Sequence, residues 1–96
     1  DPALTAAREL KEETGYGAEK IELLTAFYSS IGYSTEIIRV YLATGLTPGE
    51  TQFDDNEALD VLEYDLAQLK EMALEGKLED GKTIVAILIA AAKMGI

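Results

Sequence analysis

The chain has 96 residues, enough for one domain and no more, and its 48% hydrophobic content is that of a globular rather than a disordered protein. It contains no cysteine and no histidine, which excludes disulfides, thiolate zinc sites, a thiol nucleophile and an imidazole base. The formal net charge of −10 argues against nucleic acid and anionic membranes as partners. Any metal must be held by oxygen atoms, which points to Mg²⁺, Mn²⁺ or Ca²⁺.

The first element predicted along the chain is a helix over residues 2–14. Asp1 is a good N-cap and Pro2 suits the first helical position. Apolar residues then recur at helical spacing until Gly15, where a glycine can end the helix in the left-handed conformation.

Two strands joined by a loop are predicted next. After a polar connection at 17–20, residues 21–29 are rich in β-branched and aromatic side chains and predict a strand. Small residues and one glycine form a loop over 29–34, and residues 36–43 predict the second strand. A Pro-Gly pair marks a turn at 47–50.

The remaining elements are an acidic loop, a third strand and two helices. Their predicted ranges are 51–57 for the loop, 58–64 for the strand, and 65–75 and 81–93 for the helices. Asp65 and Asp80 stand where each helix needs an N-cap. We expect the apolar face of the last helix to pack on the sheet.

Three glutamates, Glu9, Glu12 and Glu13, share one face of the first helix, because residues three and four apart are neighbours on a helix. Their mutual repulsion destabilises the helix, and a divalent cation would remove it. The alternative is an ordinary solvated face on which Arg8 and Lys11 pair with nearby carboxylates, for a few tenths of a kcal/mol each.

The order of residues 8–16 favours the metal site. Read in one-letter code, RELKEETGY matches the second half of the Nudix box, G(x)5E(x)7REUxEExGU, in which U is a bulky apolar residue. The chain therefore resembles the Nudix hydrolases. The first half of the box is absent, so we expect the chain to begin inside its own signature.

In the Nudix family the glutamate of RE and the second glutamate of EE are the main Mg²⁺ ligands. The resemblance therefore implies that Glu9 and Glu13 bind Mg²⁺, for which Mn²⁺ can substitute. Glu12 would be an additional or water-mediated ligand, and Arg8 would orient a carboxylate. The resemblance thus implies that Glu12 and Arg8 take part in catalysis.

The loop after the first strand resembles the Ser-Pro-Gly-Phe-Ser loop of ADP-ribose pyrophosphatases, which lines the pocket for the terminal ribose. The resemblance implies that Ser30 and Gly32 bind substrate, and Tyr33 keeps the aromatic position. Ile31 stands where the family usually has proline. The alternative is a loop that only connects two strands.

The acidic loop supplies a candidate for activating water. The resemblance implies that a glutamate here positions or deprotonates the attacking water, and Glu57 is the best match, with Asp54 and Asp55 as alternatives. A carboxylate suffices beside a bound cation, because the metal lowers the pKa of the water. The alternative is a loop that merely adds charge.

The resemblance implies an α/β (α+β) fold, the Nudix α/β/α sandwich with a mixed sheet. We expect residues 1–96 to form a single partial domain that lacks the N-terminal strands. The implied reaction is Mg²⁺-dependent hydrolysis of a nucleoside diphosphate derivative, with ADP-ribose giving AMP and ribose 5-phosphate as the leading case. The alternatives are another substrate, a nucleotide sugar or a dinucleoside polyphosphate, or a non-catalytic nucleotide-binding module. We expect a cytoplasmic homodimer that binds neither nucleic acid nor membrane.

Overall fold

The computed structural model describes residues 1–33, 35–49 and 63–96. In chain order the elements are α1 (Pro2–Thr14), β1 (Tyr16–Tyr28), β2 (Ile37–Pro48), α2 (Leu66–Leu74) and α3 (Gly81–Lys93). The predicted mixture of helices and strands is confirmed. Among the described residues, no helix is long and apolar enough to cross a bilayer.

The chain divides into two compact units. The first unit takes Asp1–Leu23 and, of the described residues that follow, 41–49; the second takes Leu24–Val40 and Glu63–Ile96. The first unit holds α1 and the outer part of the β1–β2 pair. The second holds the end of that pair nearest its loop, together with α2 and α3.

Helix α1 begins and ends where the sequence predicts. The carboxylate of Asp1 accepts a hydrogen bond from the backbone N–H of Ala3 at 2.9 Å, and Pro2 occupies the first turn. At the other end Gly15 has φ of 81°, in the left-handed region, and its N–H donates to the carbonyl of Lys11. Both signals are local, which is why the range 2–14 could be predicted from the sequence.

Strands β1 and β2 pair in antiparallel orientation, and both are longer than predicted. The prediction of a polar connection at 17–20 is wrong, because those residues lie inside β1. The turn predicted at 47–50 likewise starts too early, because β2 continues to Pro48. Pairing with the opposite strand overrides the weak strand propensity of these residues, a non-local effect that composition does not reveal.

Gly45 marks an irregular point within β2. It has φ of 66°, which residues with a side chain rarely adopt. Gly49 N–H donates to Gly15 O at one end of the pair, and Ser29 N–H donates to Glu36 O at the other. In a regular antiparallel pair, the two residue numbers of every bonded couple have the same sum. Here that sum differs by one between the two ends, so one strand contains an extra residue, as in a β-bulge with a left-handed glycine.

The two C-terminal helices pack on each other. The carboxylate of Asp65 caps α2 by accepting from the N–H of Ala67 at 3.0 Å. Helix α3 buries Ile87, Ala90 and Ala91, and its main contact is with α2. The expectation that the apolar face of α3 packs on the sheet stays a prediction. Only the tertiary structure reveals the contact between α2 and α3.

The third strand, predicted over 58–64, falls mostly outside the described residues. Its last two positions, Glu63 and Tyr64, are described and belong to no helix or strand.

We predict that Gly45→Ala destabilises the protein. The added Cβ would lie 2.7 Å from the Cβ of Glu19, and the alanine would have to adopt φ of 66°. Left-handed backbone alone costs a residue with a side chain about 1–2 kcal/mol. Urea unfolding followed by circular dichroism measures the change. Gly81→Ala is the control, because nothing lies within 4 Å of its Cβ position; equal stability of the two variants would contradict the prediction.

Candidate metal centre

The carboxylates of α1 are presented to solvent. Glu9, Glu12 and Glu13 are all exposed, and they occupy the C-terminal half of the helix. The helix macrodipole places partial negative charge at that end, so it disfavours carboxylates there. Lys11 is the basic residue of the last turn. This arrangement raises the free energy of the folded protein, and a cation bound at this face would lower it.

Arg8 pairs with one of the three carboxylates, that of Glu12. Its Nη1 lies 3.6 Å from Oε1 of Glu12, with the two side chains 64% and 60% exposed. Among the described residues no basic group lies within ion-pair distance of Glu9 or Glu13. An exposed pair contributes about 0.5 kcal/mol or less, so it orients Glu12 more than it stabilises the helix.

Glu9 and Glu13 stand one turn apart and form the remaining pair of oxygen donors. In the part of the chain that the structure describes, no three acidic side chains converge on one point. Mg²⁺ is usually held by one or two carboxylates, with water and substrate phosphates completing its shell. The donors on α1 fit such a hard cation in both chemistry and number.

Backbone contacts hold the end of α1 that carries Glu13. The hydroxyl of Thr14 donates to Leu10 O at 2.6 Å and accepts from Tyr16 N at 3.2 Å. Gly15 is buried, and its carbonyl accepts a hydrogen bond from Gly49 N at 2.9 Å. The last turn of α1 is therefore tied both to the start of β1 and to the residue that follows β2.

The loop between β1 and β2 contains a turn that explains its glycine. Tyr33 N–H donates to Ser30 O at 3.3 Å, and Gly32 has φ of 89°. This is the pattern of a type II turn, which requires positive φ at its third position and favours proline at its second. Ile31 occupies the second position, so it stands where proline would fit. Nothing lies within 4 Å of the Cβ position of Gly32, and Ser30 is exposed.

The second unit contains a cavity of about 370 Å³ to which sequence reasoning assigned no chemistry. Its lining residues are Phe27, Ser29, Glu36, Ile38, Asp80, Gly81 and Lys82. At its edge the carboxylate of Asp80 accepts from Thr83 Oγ1 at 2.6 Å and from Lys82 Nζ at 3.1 Å. These bonds, first that of Thr83 and then that of Lys82, hold the pKa of Asp80 below its usual value. The signal in the sequence was an Asp followed three residues later by Thr.

The candidate residues are thus distributed over different parts of the chain. Arg8, Glu9, Glu12 and Glu13 lie together on α1 in the first unit, whereas Ser30 and Gly32 belong to the second. Glu57, with its alternatives Asp54 and Asp55, lies outside the described residues.

A family model and several known proteins match this chain. The family model of the NUDIX domain matches residues 1–86. Over 89 residues the chain is 40% identical to the ADP-ribose pyrophosphatase of Bacillus subtilis and 40% identical to the methanol dehydrogenase activator of Bacillus methanolicus, covering 91% of this chain and 48% of each relative. It is 29% identical over 90 residues to a GDP-mannose pyrophosphatase of Klebsiella pneumoniae, covering 91% of this chain and 46% of that protein.

A solved structure supports the fold. A crystal structure of an ADP compounds hydrolase superposes with a TM-score of 0.80 at 23% identity, over 95% of this chain and 49% of that one. The chain thus spans about half the length of the relatives that it matches.

We predict that Ile31→Pro raises the melting temperature. Proline at the second position of a type II turn restricts the unfolded chain, which typically stabilises a protein by about 0.4–1 kcal/mol. Thermal unfolding measures the shift, and Tyr33→Pro is the contrasting variant, because it removes the N–H that closes the turn. A lower melting temperature for Ile31→Pro would show that the turn is not of this type.

We also predict that Thr83→Val raises the pKa of Asp80, because the hydroxyl is the main cause of its lowering. A lowered pKa in the folded state stabilises the protein above the usual pKa, and this stabilisation disappears as the pH falls through the lowered value. The stability difference between wild type and variant should therefore shrink on acidification. Titration of Asp80 by NMR measures the pKa directly. Lys77→Met is the control, since Lys77 pairs with Glu75, and an unchanged pKa in Thr83→Val would contradict the assignment.

Proposed function

The chain belongs to the NUDIX domain family, and on this basis we propose that it carries the metal-binding helix of a pyrophosphohydrolase. The proposed reaction is hydrolysis of the diphosphate in a nucleoside diphosphate derivative. ADP-ribose, which would give AMP and ribose 5-phosphate, is the leading substrate, since relatives at 40% and 37% identity bear the name ADP-ribose pyrophosphatase.

The observation that supports this proposal most directly is the pair Glu9 and Glu13. Both are exposed on one face of α1, and among the described residues neither has a basic partner. They lie towards the end of the helix at which negative charge is least favourable. A surface selected only for stability would place basic side chains here, whereas a divalent cation needs carboxylates.

Each residue has a defined part in the proposed reaction. Glu9 and Glu13 would hold the cation, proposed to be Mg²⁺ or Mn²⁺, and Arg8 would keep Glu12 oriented beside them. When bound, the cation supplies charge neutralisation at the phosphate oxygens and lowers the pKa of a nearby water. Glu57 is proposed to accept the proton of the attacking water. The water oxygen forms a new bond to phosphorus, the bridging P–O bond breaks, and the leaving phosphate takes its electron pair.

A nucleotide sugar is the second candidate substrate. The GDP-mannose pyrophosphatases among the relatives share 29–33% identity with this chain, and Ile31 departs from the proline usual in the ADP-ribose pyrophosphatase loop. Dinucleoside polyphosphates belong in the same substrate panel. A homodimer in the cytoplasm is likewise part of the proposal. So is the absence of a nucleic-acid partner, which the net charge of −10 supports.

We predict that Glu13→Gln in the full-length protein lowers kcat/KM for ADP-ribose by a factor on the order of 10²–10³, the usual effect of removing a group that stabilises charge in the transition state. The neutral amide keeps the shape of the side chain and is a much weaker ligand for a hard cation. AMP release with and without Mg²⁺ is measured for ADP-ribose, GDP-mannose and a dinucleoside polyphosphate.

Glu71→Gln is the matched control, because Glu71 is exposed on helix α2 in the second unit. It should hydrolyse each substrate at the wild-type rate. If Glu13→Gln and Glu71→Gln were equally active, the metal role of Glu13 would be refuted. If wild-type protein bound nucleotides without cleaving any of the panel, the non-catalytic binding module would replace the proposed enzyme.

A further inference from the structure

The contact between Gly15 and Gly49 joins two backbone segments without an intervening side chain. The N–H of Gly49 donates to the carbonyl of Gly15 at 2.9 Å. A Cβ on Gly49 would lie 2.5 Å from that same oxygen. Because the obstructing atom belongs to the backbone, no side-chain rotation could relieve the clash. Only glycine at position 49 allows the N–H to reach Gly15 in this geometry.

Gly15 is directly coupled to the carboxylates of α1. Its own N–H donates to Lys11 O at 2.9 Å, and the hydroxyl of Thr14 donates to Leu10 O at 2.6 Å. These hydrogen bonds hold together the last turn of α1, which contains Glu13. Glu9 lies one turn earlier, before these capping contacts. Moving Gly15 would therefore displace Glu13 relative to Glu9.

We propose that Gly49 is a positioning residue for the metal site: by accommodating Gly15 O it sets the separation of the Glu13 and Glu9 carboxylates and thereby the affinity for a divalent cation. This inference rests on the proposed function, because it takes Glu9 and Glu13 as the ligands. It adds a residue that has no side chain and would contact neither metal nor substrate. Its action is through Gly15 alone, within the first unit.

The size of the effect follows from the clash. To restore an ordinary contact the added Cβ and the Gly15 oxygen must separate from 2.5 Å to at least 3.4 Å. A misplacement of about 1 Å in a catalytic arrangement can cost up to about 10²-fold. Because water and substrate phosphates can adapt around the cation, we expect Gly49→Ala to weaken binding by about tenfold.

The experiment measures binding of Mn²⁺ alone, by electron paramagnetic resonance of the free ion, so it does not depend on activity. Gly49→Ala is compared with Gly45→Ala, which also places a Cβ in a clash within the first unit but touches the side chain of Glu19 rather than Gly15. We expect about tenfold weaker binding in Gly49→Ala and a change of less than about twofold in Gly45→Ala. Equal weakening in both variants would mean that the loss follows stability, and the inference would be overturned.

Glu13→Gln separates this inference from the proposed function. If Glu13→Gln binds Mn²⁺ as wild type does, the metal site itself is misassigned and the proposed function fails with it. If Glu13→Gln loses binding while Gly49→Ala retains it, only the positioning role of Gly49 is wrong.

A measurement on the wild type covers the case in which Gly49→Ala does not fold. Coupling between two sites is reciprocal, so a contact that strengthens metal binding must itself be strengthened by the metal. We expect saturating Mg²⁺ to slow hydrogen exchange of the Gly49 amide by about tenfold relative to the Ile84 amide, which donates to Asp80 O in the second unit. An unchanged ratio would overturn the inference.

Discussion

The left-handed turn at Gly15 is the constraint on which the carboxylate face depends. It ends α1 immediately after Glu13, directs the chain into β1, and presents a carbonyl to Gly49. A residue with a side chain at position 15 would have to adopt φ of 81°, which is unfavourable for every residue type except glycine and, to a lesser extent, asparagine and aspartate. The strand pair and the carboxylate face thus meet at one buried residue.

Electrostatics makes the carboxylate face of α1, the proposed cation site, unfavourable for the helix itself. Two carboxylates without a basic partner among the described residues stand near the negative end of the macrodipole, and the salt bridge between Arg8 and Glu12 is exposed and weak. The two carboxylates and the macrodipole reduce stability in the absence of metal, and both would favour a bound divalent cation. Such a balance is typical of functional sites, where local rules of stability are broken for a reason that lies outside the fold.

The second unit is stabilised by helix packing and by hydrogen bonds at the start of α3. Helices α2 and α3 contact each other, and Ala91 of α3 is fully buried. Asp80 forms a hydrogen-bonded cluster with Thr83 and Lys82 at the start of α3. The loop of this unit exposes Ile31 and Tyr33, at 84% and 94% of their surface. These two side chains therefore contribute little to the core of this unit.

The sequence by itself determined what depends on neighbours along the chain. The bounds of α1 follow from Asp1, Pro2 and Gly15, because capping acts within one turn. The shared face of Glu9, Glu12 and Glu13 follows from helical periodicity alone. The residue order around them indicated the NUDIX family before any fold was known.

Only the tertiary structure decided what depends on residues far apart in sequence. The true length of β1, the irregularity at Gly45 and the pairing of α3 with α2 all require partners brought together by folding. The same holds for Gly49, which reads in the sequence as an ordinary turn glycine. Its N–H reaches the residue that ends α1 because antiparallel pairing brings the end of β2 next to the start of β1.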